Sequence, residues 1–424
     1  MCYFGQWNEA KRKMIIGIDL GKHYSQISVY DERKKEIVTV SPVPSEDEGL
    51  IPTVIGVTED KKSWVYGKEC IEKGGVQIFD MIETIEQGKS FWIYEVEFSK
   101  ESIMEKFLKK LLLLVKNYYP FVVEQLVITV ETKNSYLEEA IYGGLEKIGI
   151  GPDRAFLQTY EESYVTYALA QKKELWLQDI GLFDFNEKGL YYKQLSIDRS
   201  SSPMLVYVLK KDYTKLLDKK RLEDETKERL SCIFLNIANE AMHKQSISTV
   251  YVTGEGFLNS FAKDVLPKLC VGRRVFAGTN LYTRGACYKA MELGRIKEAE
   301  NYIFMGEDVI SYNILLPVYQ SGKVESVVLS KFGTPWKKAE NVVDVILDEE
   351  DEIQIVVNDP LKKEDKTFLI SIEGLPNRPN KMTRLSIQIQ FLSEHEFVIT
   401  IKDLGFGTFY KTSNRIWEKS ISLR

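Results

Sequence analysis

Near residue 309 the hydrophobic pattern of the chain changes its period. Upstream, short apolar runs alternate with stretches spaced for helices. Downstream, short alternating strands follow one another directly, with turns at Gly322, at Gly333-Thr334-Pro335 and at 348–352. Strands alternating with helices build a layered α/β sheet, whereas strands alone build a sandwich or barrel. The 424 residues suffice for two or three domains, each with its own core. The pattern predicts an α/β part followed by an all-β sandwich.

The α/β part opens on residues 15–31. An apolar run (Ile15, Ile16, Ile18) ends in Asp19, turns through Gly21, Lys22 and His23, and returns as an alternating strand over 26–30. Such a hairpin can do chemistry. Gly21 allows φ > 0 and a close backbone approach, turn N–H groups can face an anion, and Asp19 can hold Mg²⁺ through a water. Taken alone, the stretch is equally a buried first strand with a glycine turn.

Further along, 45–48 is an acidic turn, and 102–119 has helical spacing. Ile103, Phe107, Leu111, Leu114 and Val115 form its inner stripe, and Pro120 stops it. Residues 126–131 read as a covered strand. A helix follows with Leu137, Ile141, Leu145 and Ile148 inside and Gly149 at its end. Glu161 and Glu162 stand at a helix start, where acids favour the dipole. Residues 179–194 form a strand, a turn at 186–189 and a second strand; 219–242 supplies a long helix. After a strand at 249–252, Gly254 and Gly256 open a helix carrying Phe257, Phe261 and Val265. Glycines there either seat a ligand on the helix N–H groups or make a plain strand-helix turn.

The net charge of −5 argues against nucleic acid as the main partner. His23, His243 and His395 lie far apart, and the five cysteines form no C-x-x-C, as in a reduced, cytoplasmic interior. No apolar run reaches membrane-spanning length, and residues 1–13 read as a tail without a signal-peptide core.

Several of these segments, in order, resemble the actin, sugar-kinase and heat-shock-chaperone ATPase superfamily, and most of all the DnaK-type chaperones. Gly17-Ile18-Asp19-Leu20-Gly21 with Ser25 resembles the first phosphate hairpin, Gly-Ile-Asp-Leu-Gly-Thr-Thr-x-Ser. The hairpin at 179–194 stands where the second, Asp-x-Gly-Gly-Gly-Thr, belongs, and Asp184 matches its aspartate. Thr253-Gly254-Glu255-Gly256 resembles the adenosine motif, and 309–424 the peptide-binding β-sandwich without its helical lid. The resemblance implies a two-lobed, actin-like (ribonuclease H-like) fold. Its expected parts are a tail at 1–13, a nucleotide-binding domain at 14–300 (lobes about 14–178 and 179–300), a linker at 301–308 and the sandwich at 309–424.

For the site, the resemblance implies ATP or ADP with Mg²⁺. Asp19, Gly21, Lys22, Ser25, Asp184, Gly254 and Gly256 would hold the nucleotide, and Asp19, Asp184 and Glu161 the metal through waters. The chain departs from the family at three places. Lys22 and His23 replace two threonines, Asn186, Glu187, Lys188 and Gly189 replace the second hairpin's glycines and threonine, and Ile71 replaces a water-activating lysine, with Lys68 and Lys73 nearby. The expectation is therefore a DnaK-like protein with weak or absent ATPase. Two alternatives stay open, a non-catalytic scaffold without nucleotide and a filament-forming actin-like protein. The sandwich is expected to engage a peptide or protein partner, with Leu316 and Val318 either lining its groove or filling its core. Neither nucleic acid nor membrane is expected as a partner.

Overall fold

The structure, a computed structural model, describes residues 12–42, 49–73, 75–115, 121–200, 202–306, 309–348, 351–360 and 364–423. The expected tail lies outside these residues except for Arg12 and Lys13, which open the first strand. The acidic turn at 45–48, Tyr119, Pro120, positions 307 and 308 of the linker, and positions 349 and 350 also lie outside them. The chain divides into two compact units after Tyr302.

In the first unit, β1 (Arg12–Leu20), β2 (Tyr24–Asp31) and β3 (Glu36–Thr39) form an antiparallel meander. After small elements and α1 (Lys100–Leu113), β4 (Phe121–Val130) lies parallel to β1 on its free side. Then α2 (Ser135–Ile148) leads to β5 (Ala155–Thr159), parallel to β4, and α3 (Tyr160–Leu169) follows. The main path of the sheet runs β5-β4-β1-β2-β3.

The second half repeats this succession. A meander of β6 (Asp179–Asn186), β7 (Gly189–Asp198) and β8 (Met204–Asp212) is followed by α4 (Lys227–Ala241), β9 (Ile247–Thr253), α5 (Ala262–Leu269), β10 (Arg274–Ala277) and α6 (Leu281–Leu293). Its sheet contains the order β10-β9-β6-β7-β8.

Local chemistry explains the helix ends. Asn134 caps α2 through the N–H groups of Tyr136 and Leu137, and Gly149 ends it at a φ of 86°. Thr159 and Glu162 form a reciprocal capping box at the start of α3. Ile103, Phe107 and Leu111 of α1 meet Leu137, Ile141 and Leu145 of α2 in one core, each side chain buried. Fully burying such a side chain contributes roughly 1.5–3 kcal/mol.

Two expected helices differ. The segment 219–242 is two helices, because Thr226 is extended and caps α4 through the Arg229 N–H. No α-helix opens at Gly254. A short 3₁₀ turn, Glu255–Leu258, comes first, and α5 begins only at Ala262.

The second unit contains two four-stranded antiparallel sheets. Their orders are Lys323–Ser330, Asn313–Gln320, Glu352–Asp359, Glu364–Ser371, and Asn341–Ile346, Arg384–Ser393, Glu396–Gly405, Ile416–Ser422. Alternate residues of both sheets, among them Ile314, Ile355, Ile387 and Ile399, share one core. Leu316 belongs to that core and Val318 packs against it, so neither is exposed as a groove contact. The opposite face of the first sheet leaves Tyr319, Val324, Val328 and Leu369 exposed. Asp403 is fully buried and takes both ends of the Arg378 guanidinium at 2.8 Å.

Candidate functional site

A cavity of about 60 Å³ opens in the first unit where β1, β6 and β9 end. Five of the expected residues line it: Asp19, Gly21, Lys22, Asp184 and Gly254. Ser25, Glu161 and Gly256 are not among the lining residues, nor are Lys68, Ile71 and Lys73.

The first hairpin is built as a turn with inward acids. Gly21 does not use its freedom to reach positive φ. It is needed for space, since a Cβ there would stand 2.4 Å from the Tyr24 carbonyl oxygen and 3.1 Å from the Tyr160 hydroxyl. Ser25 lies behind the turn. The Thr53 hydroxyl donates to the Gly21 carbonyl at 2.8 Å, which leaves Ser25 to donate to Thr53, also at 2.8 Å. Lys22, expected to meet a phosphate, pairs with Glu86 at 2.8 Å. Burial pushes the Asp19 carboxyl up to about 8; a hydrogen bond from Tyr160 opposes this, and Asp184, Glu187 and Glu255 add to it.

The second hairpin closes the site further. Lys188 pairs with Glu131 at 2.6 Å. Phe185 occupies the space beside both glycines of the expected adenosine motif. A Cβ on Gly254 would lie 2.3 Å from the Phe185 carbonyl oxygen, and one on Gly256 2.3 Å from its ring. At both positions a side chain would collide with Phe185, while Gly254 itself lines the cavity. Burial, with Glu187 beside it, raises Glu255 to about 7, opposed by Lys219.

The residue that organises the site is Lys193, on β7, which the sequence reading did not single out. Its ammonium lies 3.5 Å from Asp184, 3.4 Å from Glu161 and 3.1 Å from the Tyr282 hydroxyl. Its three N–H bonds thus have three acceptors. Burial alone would lower its pKa, but Asp184 and Glu161 hold it above its ordinary value. The Tyr282 hydroxyl donates to Asp184. Tyr282 in turn stacks on Tyr160 with ring centroids 4.1 Å apart, and Lys193 stands over both rings. A signal was present in the sequence, since lysine is almost never fully buried unless paired and Lys193 interrupts an otherwise strand-like 190–197.

Mg²⁺ with ATP or ADP does not fit these residues. The Lys193 ammonium already bridges Asp184 and Glu161, where the metal waters were expected. Among the described residues no cluster of three or more His, Cys, Asp or Glu side chains is arranged to hold a metal ion. Six acids line the cavity, Asp19, Glu86, Glu131, Asp184, Glu187 and Glu255, and the lysines beside them, Lys22, Lys188 and Lys193, are each paired with one of them, so none is free to neutralise a polyphosphate. The volume is also far below the roughly 300–1,000 Å³ of small-molecule pockets.

Residues 36–307 match the family described as "Family of unknown function (DUF5716) C-terminal", and residues 309–423 match "Domain of unknown function (DUF8552)". No curated protein matches the chain. Among the described residues no helix is long and apolar enough to cross a membrane.

Proposed function

The chain belongs to the DUF5716 C-terminal family of unknown function, and from that premise we propose that it is a non-catalytic scaffold. In this reading it is a divergent, lidless DnaK-like protein. Its actin-like cleft takes no nucleotide, and its β-sandwich engages a peptide or protein partner. The fold assignment is supported by the strand order that occurs twice in the first unit, the doubled ribonuclease H-like arrangement expected of actin-like ATPases. A two-sheet unit follows it, as the peptide-binding sandwich does in the chaperones.

The observation that carries the functional reading is Lys193, held between Asp184 and Glu161. Phosphoryl transfer depends on positioning and on neutralising phosphate charge by metal and lysine. Here the chain's own ammonium is held by its own carboxylates and does not face a phosphate. The reading is tested by thermal denaturation of the full chain with ATP or ADP and Mg²⁺, alongside a phosphate-release assay. A ligand of the native state at about 100 times its Kd adds roughly 2.7 kcal/mol, so the expected absence of any shift is a sharp result. A saturable rise in Tm that Asp184→Ala removes, or steady ATP turnover, would overturn it.

A further inference from the structure

We propose that the cavity between Asp19, Glu187 and Glu255 receives the ammonium end of a small alkylamine. This deepens the scaffold reading and rests on it, because it names the ligand class of a cleft closed to nucleotide. Three of the six lining carboxylates are already matched by lysines: Glu86 by Lys22, Glu131 by Lys188 and Asp184 by Lys193. Asp19, Glu187 and Glu255 make no ion pair among the described residues, although Lys219 lies near Glu255. Burial and mutual proximity hold protons on Asp19 and Glu255 near neutral pH, so an entering ammonium would displace those protons and pair with the carboxylates left behind.

Two further observations are independent of that acidity. Asp19 Oδ1 and Thr253 Oγ1, in two of the residues that line the cavity, are buried and have no hydrogen-bond partner among the described residues. Buried polar atoms are normally satisfied, and an unpartnered carboxyl oxygen calls for a donor, not for a phosphate. Part of the wall is apolar, formed by Leu20, Leu50, Ile82, Val130 and Leu137 among polar residues such as Gln26, Tyr160 and Thr279. A metal ion has no use for that wall, whereas the methylenes of an alkylamine would bury against it. The 60 Å³ volume suits an ammonium with its first methylenes, the remainder of the chain leaving through the mouth.

The test is titration calorimetry and thermal denaturation of the full chain with 1,4-diaminobutane. The comparison ligands are 1,4-butanediol as the neutral isostere, and K⁺ and Mg²⁺ as inorganic cations. The diamine is expected to bind saturably and raise Tm, and the diol to do neither. Asp19→Asn and Glu187→Gln are each expected to weaken the diamine at least roughly tenfold, as loss of a charged hydrogen-bond partner does. Glu187 stands in a partly exposed turn, so its variant keeps the test decisive where Asp19→Asn fails to fold. Equal binding of the diol, displacement of the diamine by K⁺ or Mg²⁺, or unchanged affinity in Glu187→Gln would overturn the proposal. A parallel arm with ATP and Mg²⁺ separates the two readings. A nucleotide shift refutes the scaffold, whereas an inert diamine with inert nucleotide refutes only the alkylamine.

Discussion

Lys193→Met removes the charge that joins β6, β7 and α3 while keeping a side chain of similar length. The loss is unequal for the two partners. The Glu161 side chain is 28% exposed and recovers much of its hydration, whereas Asp184 at 4% recovers little. The variant therefore strands one buried carboxylate, and breaking a buried pair from one side costs about 3–5 kcal/mol. The unit Met1–Tyr302, at about 2.1 cal/mol/K per residue, has an unfolding entropy near 0.6 kcal/mol/K, so its Tm should fall by roughly 5–8 °C. The second half of the cycle is decisive. In Lys193→Met/Asp184→Asn the stranded charge is gone while the Tyr282 hydroxyl still has an acceptor, and at least half of the loss should return. Differential scanning calorimetry of the four proteins gives both quantities, and the coupling between neighbours should be clearly non-zero. A single variant within about 1 kcal/mol of the parent, or a double variant showing the plain sum of the single losses, would refute the resident-cation account.

Asp19 makes stability depend on pH. Its folded carboxyl is raised to about 8 from 3.8, so its contribution is fully present below 3.8 and is lost as pH rises through 8. Across pH 5–7 the folded chain holds one more proton than the unfolded chain, a slope of about −1.4 kcal/mol per pH unit from this group. Asp19→Asn should flatten urea-unfolding stability over that window, and equal slopes in the two proteins would disprove the assignment. On the two-sheet unit, Tyr319→Ser with Val324→Ser removes exposed apolar surface. It should leave stability within about 0.5 kcal/mol but reduce capture of a crosslinked protein partner by the full chain; unchanged capture would move the partner to another face.

Much of the fold was legible because hydrophobic period and caps act locally. The stripe of α1, the Gly149 stop and the hairpin at 179–194 all follow from neighbouring residues. The long helix at 219–242 was misjudged because one cap, Thr226, outweighed an otherwise continuous pattern. The helix at Gly254 was misjudged because the glycines serve Phe185 on another strand, a contact that spacing along the chain does not encode.

The site divides along the same line. By itself, the sequence determined that Asp19, Gly21 and Asp184 end strands beside tight turns, and the cavity does gather them. It also showed where the chain departs from the family it resembles, with Lys22 and His23 in the first turn and Asn186, Glu187 and Lys188 in the second. Only the tertiary structure decided what stands in their place. Lys193, Glu161 and Tyr282 come from a strand and two helices far apart in the chain. Their meeting depends on how the two repeated sheets close against α3 and α6. Charge pairing is a matter of a few ångströms in space, and the periodicity of a single segment carries no information about it.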